Sequence, residues 1–142
     1  MKKNKFSKNW IIKQKRDLYV KKSKLEGYRS RAVYKLQEIN DKFKIIKNNI
    51  LVVDLGAAPG SWSQYISRNF KNSKIISIDL KDIEPIKNVT HLIGDFTDEN
   101  EKLKIQNYFG KKLDLIISDM AVNTTGNKSV DSLVTGELCL RQ

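Results

Sequence analysis

Four short runs rich in β-branched residues, separated by polar stretches, constrain the fold of this chain more than any other feature. They cover residues 50–55, 74–79, 89–93 and 113–118, and each ends at an acid: Asp54, Asp79, Asp95 and Asp119. Between them, residues 61–69 and 97–109 carry helical patterns, the second stopped by Gly110. Strands buried on both faces read as continuous apolar runs, and their alternation with helices specifies right-handed βαβ units and a parallel sheet. The predicted fold class is therefore α/β. A further helix is expected upstream, capped by Ser30, with Ala32, Leu36, Ile39 and Phe43 on its apolar face and Lys35 beside it. Residues 129–140 read as a last helix with no strand after it, an early stop for an open sheet.

Charge divides the chain at residue 49. Residues 1–49 hold sixteen Lys and Arg against four Asp and Glu, and residues 50–142 hold eleven against twelve, so the net charge of +11 lies entirely in the first third. A basic block on a nearly neutral body is the footprint of a polyanion-binding surface, most often nucleic acid. A solvated Lys-rich tail has the same composition, and charge alone leaves both readings open. Phe6, Trp10, Tyr19, Tyr28 and Tyr34 are interleaved with the basic residues, which a solubility tail does not need. Such rings stack on bases or pack a helix onto the core, and core packing is the expected role for most of them, Trp10 included. At 39% apolar residues the chain has enough for a core, and no run approaches the roughly 20 apolar residues of a membrane span. The single cysteine, Cys139, excludes an internal disulfide framework, and the start lacks the apolar stretch of a secretory signal, so a cytoplasmic setting is expected.

Ligands of open α/β sheets bind beyond the carboxyl ends of the strands. There the first run leads into Asp54-Leu55-Gly56-Ala57-Ala58-Pro59-Gly60-Ser61-Trp62. This is not the GxGxxG spacing of a dinucleotide site, which disfavours a dinucleotide-dependent oxidoreductase. Gly56 and Gly60 still permit a turn in which backbone approaches a ligand closely. Asp54 is a poor neighbour for a pyrophosphate and suits a ligand with an ammonium and a sulfonium. Asp79 stands twenty-five residues after Asp54, where such folds place the carboxylate for a ribose diol. Asp95, followed by Phe96, offers an acceptor for an exocyclic amine with an apolar ring beside it. Each acid alone is an ordinary cap or turn residue. Together they describe a site for a positively charged adenosine, a description that S-adenosylmethionine fits.

Three segments carry a resemblance. Ser30-Arg31-Ala32-Val33-Tyr34-Lys35-Leu36, the stretch from Asp54 to Gln64, and Ser118-Asp119-Met120-Ala121-Val122-Asn123-Thr124-Thr125-Gly126 resemble the FtsJ/RrmJ family of ribosomal RNA 2′-O-methyltransferases, in order and from about Trp10 onward. The resemblance implies a Rossmann-like methyltransferase fold, S-adenosylmethionine as cofactor, and a uridine ribose of large-subunit ribosomal RNA as acceptor. It places Gly60 and Trp62 along the methionine part of the cofactor, Asp79 on its ribose, Asp95 at its adenine and Asp119 near the reacting methyl. Family enzymes use a Lys-Asp-Lys-Glu set, and Lys35 and Asp119 match its first two members. The chemistry has a clear need of them: a ribose hydroxyl is a very weak acid and must be oriented as it attacks in line with the sulfur. A lysine near other cations can have a lowered pKa and act as base, or steer the hydroxyl, while an aspartate holds it. Arg29, Arg31 and the Lys-rich start are then expected to bind phosphates without reading sequence.

This sequence departs from the family pattern in three places. Val122 stands where proline is usual, and Ser61 where a second glycine is frequent. The second Lys and the Glu of the set normally follow the fourth strand, and Lys128, in the loop after that strand, does not replace the missing lysine. The expectation is thus a basic, helical RNA-binding segment over residues 1–49 and the first part of a methyltransferase domain over 50–142, incomplete after the fourth strand. Residues 113–117 then form an apolar sheet edge prone to self-association. The alternatives are a non-catalytic RNA-binding module, from another class, or an inactive fragment of such an enzyme.

Overall fold

The computed structural model describes residues 5–110 and 113–120. Within them β1 (Leu51–Leu55), β2 (Lys74–Asp79), β3 (Val89–Ile93) and β4 (Leu115–Ser118) form one parallel sheet in the order β3-β2-β1-β4. Val52 of β1 lies opposite Ile75 of β2 on one side and Leu115 of β4 on the other. The second and third strands have the expected bounds. The first and fourth begin later than the apolar runs, and just before β4 the Asp114 Oδ2 accepts from Leu51 N at 2.8 Å.

Period-two alternation sorts the strand side chains between two helical layers. Val52, Ile75 and Ile117 pack with Leu36, Trp62 and Ile66 of α2 (Val33–Phe43) and α3 (Ser61–Asn69). Val53, Leu55, Ile76 and Ile78 pack with Ile105 and Phe109 of α4 (Glu99–Phe109) on the opposite face. Ile75, Ile76 and Ile78 are fully buried, each contributing roughly 1.5–3 kcal/mol of apolar burial. The same alternation sends Asp54 to the side of Val52, under α3, which matters for the site below.

α3 has the expected bounds. α4 begins at Glu99, two residues later than the helical pattern, with Asp98 as its cap, its side chain accepting from Asn100 N. α2 begins at Val33, and Ser30 does not cap it: the Ser30 hydroxyl hydrogen-bonds Ser61 Oγ at 2.8 Å instead. Its buried face is Val33, Leu36 and Asn40, while Phe43 is exposed. Asn40 wins that place because its Oδ1 accepts from Ile46 N at 2.9 Å, folding the chain back and burying Ile46.

The charge boundary at residue 49 is not a packing boundary, since Val33, Leu36 and Ile46 share one core with Val52 and Ile75. α1 (Lys5–Glu26) is different. It is anchored near its C-terminal end, where Ser23 is buried, Tyr19 meets Tyr34 at 5.4 Å between ring centroids, and Arg68 donates to the carbonyls of Glu26 and Gly27. Core packing therefore holds for Tyr34 and for the half-buried Tyr28, but Trp10 is 60% exposed. Among the described residues no helix is long and apolar enough to cross a membrane. The expected helix over 129–140, Val122, Lys128 and Cys139 lie outside the described residues.

Candidate active site

β1 delivers its last polar residue into the interior. Asp54 is buried, and its Oδ2 accepts from Ser63 Oγ of α3 at 2.7 Å. Burial pushes its carboxyl up to about 7; the hydrogen bonds from Ser63 oppose this, and the like charges of Asp119 and Asp79 add to it. The turn that follows depends on two glycines in left-handed backbone, Gly56 at φ +66° and Gly60 at φ +103°. A Cβ at residue 56 would overlap the Met120 side chain, and one at residue 60 would stand 3.0 Å from Ile86 and 3.2 Å from Ile83.

Beneath this turn lies a small cavity of about 60 Å³, walled by Asp54, Gly56, Ala57, Pro59, Trp62 and Asp119. Trp62 is fixed there by its indole N–H, which donates to Ala32 O at 2.7 Å. An open groove of about 540 Å³ adjoins it, lined by Tyr19, Arg31, Lys35, Glu38 and Asp119. Ser30, Ala32 and Asp119 border both spaces. At this junction Lys35 Nζ donates to Asp119 Oδ1 at 2.6 Å, joining residues 84 apart in sequence. The lysine is 64% exposed and the aspartate 31%, so the pair faces the groove rather than the core.

The other two acids stand along the same sheet edge, outside the cavity wall. Asp79 steadies the β1 turn through Oδ2, which accepts from Ala58 N at 3.0 Å, and its own loop through Oδ1, which accepts from Lys81 N at 2.9 Å. Each oxygen keeps a second lone pair. Asp95 is exposed, and hydrogen bonds from the Thr97 hydroxyl and amide to Oδ1 hold its carboxyl below the usual range. No group of three or more His, Cys, Asp or Glu among the described residues could hold a metal ion. Gly60 stands apart from the cavity: a side chain there would point at Ile83, Ile86 and Arg29.

A family model for FtsJ-like methyltransferases matches residues 28–142. The chain belongs to that family. It is 59% identical over 140 residues to the ribosomal RNA large subunit methyltransferase E of Pelagibacter ubique, covering 99% of this chain and 69% of that protein. It is 50% identical over 139 residues to the protein of the same name from Rickettsia akari, covering 94% and 61%. A crystallised chain described as a ribosomal RNA methyltransferase from Plasmodium falciparum superposes with a TM-score of 0.65 at 41% identity, covering 80% of this chain and 67% of that one. The chain thus spans 61–69% of the length of these two curated relatives. Its parallel α/β sheet, expected from the alternation of runs, is a Rossmann-like methyltransferase fold, as the family resemblance implies.

In this FtsJ-like domain Arg29 has a different task from the expected phosphate contact. Its guanidinium donates to the carbonyls of Pro59 at 3.1 Å, Glu84 at 2.6 Å and Pro85 at 3.0 Å. Arg29 N donates to Gln64 Oε1 at 3.0 Å, and Gln64 Nε2 donates to Gly27 O at 3.0 Å. The arginine therefore clamps the β1 turn to the helix-free connection from β2 to β3. His91 secures the other end of that connection. Its Nε2 meets Lys81 O at 2.9 Å, and its Nδ1 meets Ser77 Oγ at 2.8 Å. No sequence signal marks the carbonyl partners of Arg29 and His91, because backbone acceptors carry no side-chain identity.

Proposed function

We propose that this chain carries the cofactor site and part of the catalytic set of an S-adenosylmethionine-dependent enzyme that methylates the 2′-oxygen of a uridine ribose in large-subunit ribosomal RNA. One observation carries the reading: Asp119 stands where the cavity below the β1 turn meets the open groove, and there it holds Lys35 at 2.6 Å. A transferase needs its two reactants to meet at one point, and this is the point where two spaces share a charged pair.

The residues present suit the cofactor chemically. The ionisable groups in the cavity wall are the carboxylates Asp54 and Asp119, and Asp79 and Asp95 stand along the edge, which suits an ammonium, a sulfonium, a diol and an amine. The cavity of about 60 Å³ takes part of such a ligand, and the open edge beside Asp79 and Asp95 takes the rest. Trp62 is an apolar wall with its N–H already satisfied by Ala32. When bound, S-adenosylmethionine supplies the methyl group. Lys35 steers the acceptor hydroxyl from the groove, Asp119 keeps the lysine in place, and fixing that geometry lowers the entropic part of the barrier. Arg31 and the lysines of residues 1–49 hold the phosphates of the RNA. Acting on ribosomal RNA, the protein works in the cytoplasm.

The experiment incubates the chain, and a protein containing it, with methyl-labelled S-adenosylmethionine and either ribosomal RNA or intact large subunits. Label on the 2′-oxygen of a uridine is the expected result, lost in Lys35→Ala without loss of cofactor affinity. Salt-dependent RNA binding with no labelled ribose from either protein would instead support a non-catalytic RNA-binding module. Asp79→Ala and Asp95→Ala are each expected to weaken cofactor binding, and unchanged affinity in both would overturn the cofactor site.

A further inference from the structure

Tyr19 and Glu38 are unexplained by anything above. Both line the groove beside Lys35. Tyr19 is 46% exposed, and its ring is backed by Tyr34 at 5.4 Å with 32° between planes. Tyr34 is itself buried and fixed: its hydroxyl donates to Glu26 Oε2 at 2.8 Å, and Lys22 Nζ stands 4.6 Å from its ring centroid. One side of Tyr19 thus rests on an immobile ring while the rest of it meets solvent. Its hydroxyl makes no hydrogen bond among the described residues. Glu38 follows Lys35 by three positions on α2, the spacing of a helical ion pair, yet Lys35 is engaged by Asp119 instead. The Glu38 carboxylate is exposed and likewise makes no hydrogen bond or ion pair among the described residues. A bare carboxylate in a groove that receives a polyanion is unfavourable unless it accepts something specific.

We propose that the groove is a nucleobase subsite, in which one base of the RNA stacks on the outward side of Tyr19 and donates a ring or exocyclic N–H to Glu38. This deepens the reading above and rests on it. Stacking is tolerant of base identity, because every base has a π-face. An acceptor-only carboxylate is selective, because the four bases carry their N–H donors at different places on their edges, and it rewards a base whose N–H meets it and repels one that turns a lone pair there. Tyr19 then supplies affinity and Glu38 supplies choice, while Arg31 at the groove wall is placed to take the adjoining phosphate. Both are positioning residues for the acceptor strand.

The test measures anisotropy of labelled RNA pentamers of each base, and of an abasic ribose-phosphate pentamer, against the full chain at several salt concentrations. Wild type is expected to bind base-bearing RNA roughly 5- to 150-fold tighter than the abasic chain, the range for one stacked base. Tyr19→Ala should bring base-bearing RNA close to the abasic level, with Tyr19→Phe like wild type and the salt slope unchanged in each. Glu38→Gln should shrink the spread of affinities among the four pentamers while leaving the salt slope in place. Equal binding of abasic and base-bearing RNA by wild type, or a Tyr19→Ala variant that keeps the difference, overturns the subsite. Absence of any salt-dependent RNA binding overturns the RNA reading itself, so the two failures are distinguishable.

Discussion

Replacing Asp54 by asparagine should change the pH dependence of stability in a calculable way. In the unfolded chain this carboxyl ionises near 3.8, whereas burial in the folded chain holds it to about 7. Between those values the folded state keeps a proton that the unfolded state has released. Stability contributed by this group therefore falls as pH rises through the window and levels off above about 7. A gap of about 3 pH units, at about 1.4 kcal/mol each, amounts to about 4 kcal/mol. Asparagine cannot ionise. It retains one oxygen for the Ser63 hydroxyl but turns an amide toward the Ser63 backbone N–H, at a cost of about 1 kcal/mol. Asp54→Asn should thus be about 1 kcal/mol less stable than wild type at pH 4 and about 3 kcal/mol more stable at pH 8. Urea unfolding followed by circular dichroism at four pH values between these limits measures both curves. Parallel curves, with a constant difference from pH 4 to pH 8, would refute the argument. A cationic ligand in the adjoining cavity favours the ionised carboxylate, so S-adenosylmethionine binding at pH 6 should release close to one proton in wild type and fewer in Asp54→Asn. Calorimetry in buffers of different ionisation enthalpy reads that difference.

Gly60→Ala, at φ +103° and 3.0 Å from Ile86, should lower stability by about 1–3 kcal/mol in the same urea assay; an unchanged midpoint would show that the turn adjusts freely. Arg29→Lys should fail to replace Arg29, because one ammonium cannot reach three carbonyls, and limited proteolysis should then cut within residues 80–88 faster than in wild type. Lys35→Ala should move the thermal midpoint little, since an ion pair this exposed contributes under about 1 kcal/mol, and a large drop would give the pair a structural role. Deleting residues 1–24 should weaken RNA binding and flatten its salt dependence, because each neutralised phosphate releases counterions; an unaltered slope would make the basic segment a solvated helix.

Much of the architecture is local in origin, and so was legible. Short β-branched apolar runs bounded by turn residues favour strands with both faces covered, as in β1 and β2, and the glycines at 56, 60 and 110 mark turns that other residues reach only with strain. Acids at strand ends were readable for the same reason, since the carboxyl edge of a parallel sheet is defined by chain direction alone. Where sequence reasoning erred, two local options were equally good. Ser30 is a proper cap residue but pairs with Ser61, and Phe43 fits a helical face that Asn40 takes by hydrogen-bonding Ile46. Arg29 and Arg31 are two residues apart and indistinguishable by composition, yet one clamps carbonyls of two loops and the other lines the groove.

By itself, then, the sequence determined the order of strands and helices along the chain, the segregation of charge, and the identity of the family. Only the tertiary structure decided which charges meet. Lys35 and Asp119 are 84 residues apart and come within 2.6 Å because α2 packs over the edge where β4 ends. Burial turned Asp54 from one acid among four into a carboxyl that holds its proton to about 7, and exposure left Tyr19 and Glu38 facing the same groove. Propensity acts on neighbours in sequence, whereas charge, burial and cavity shape act on neighbours in space.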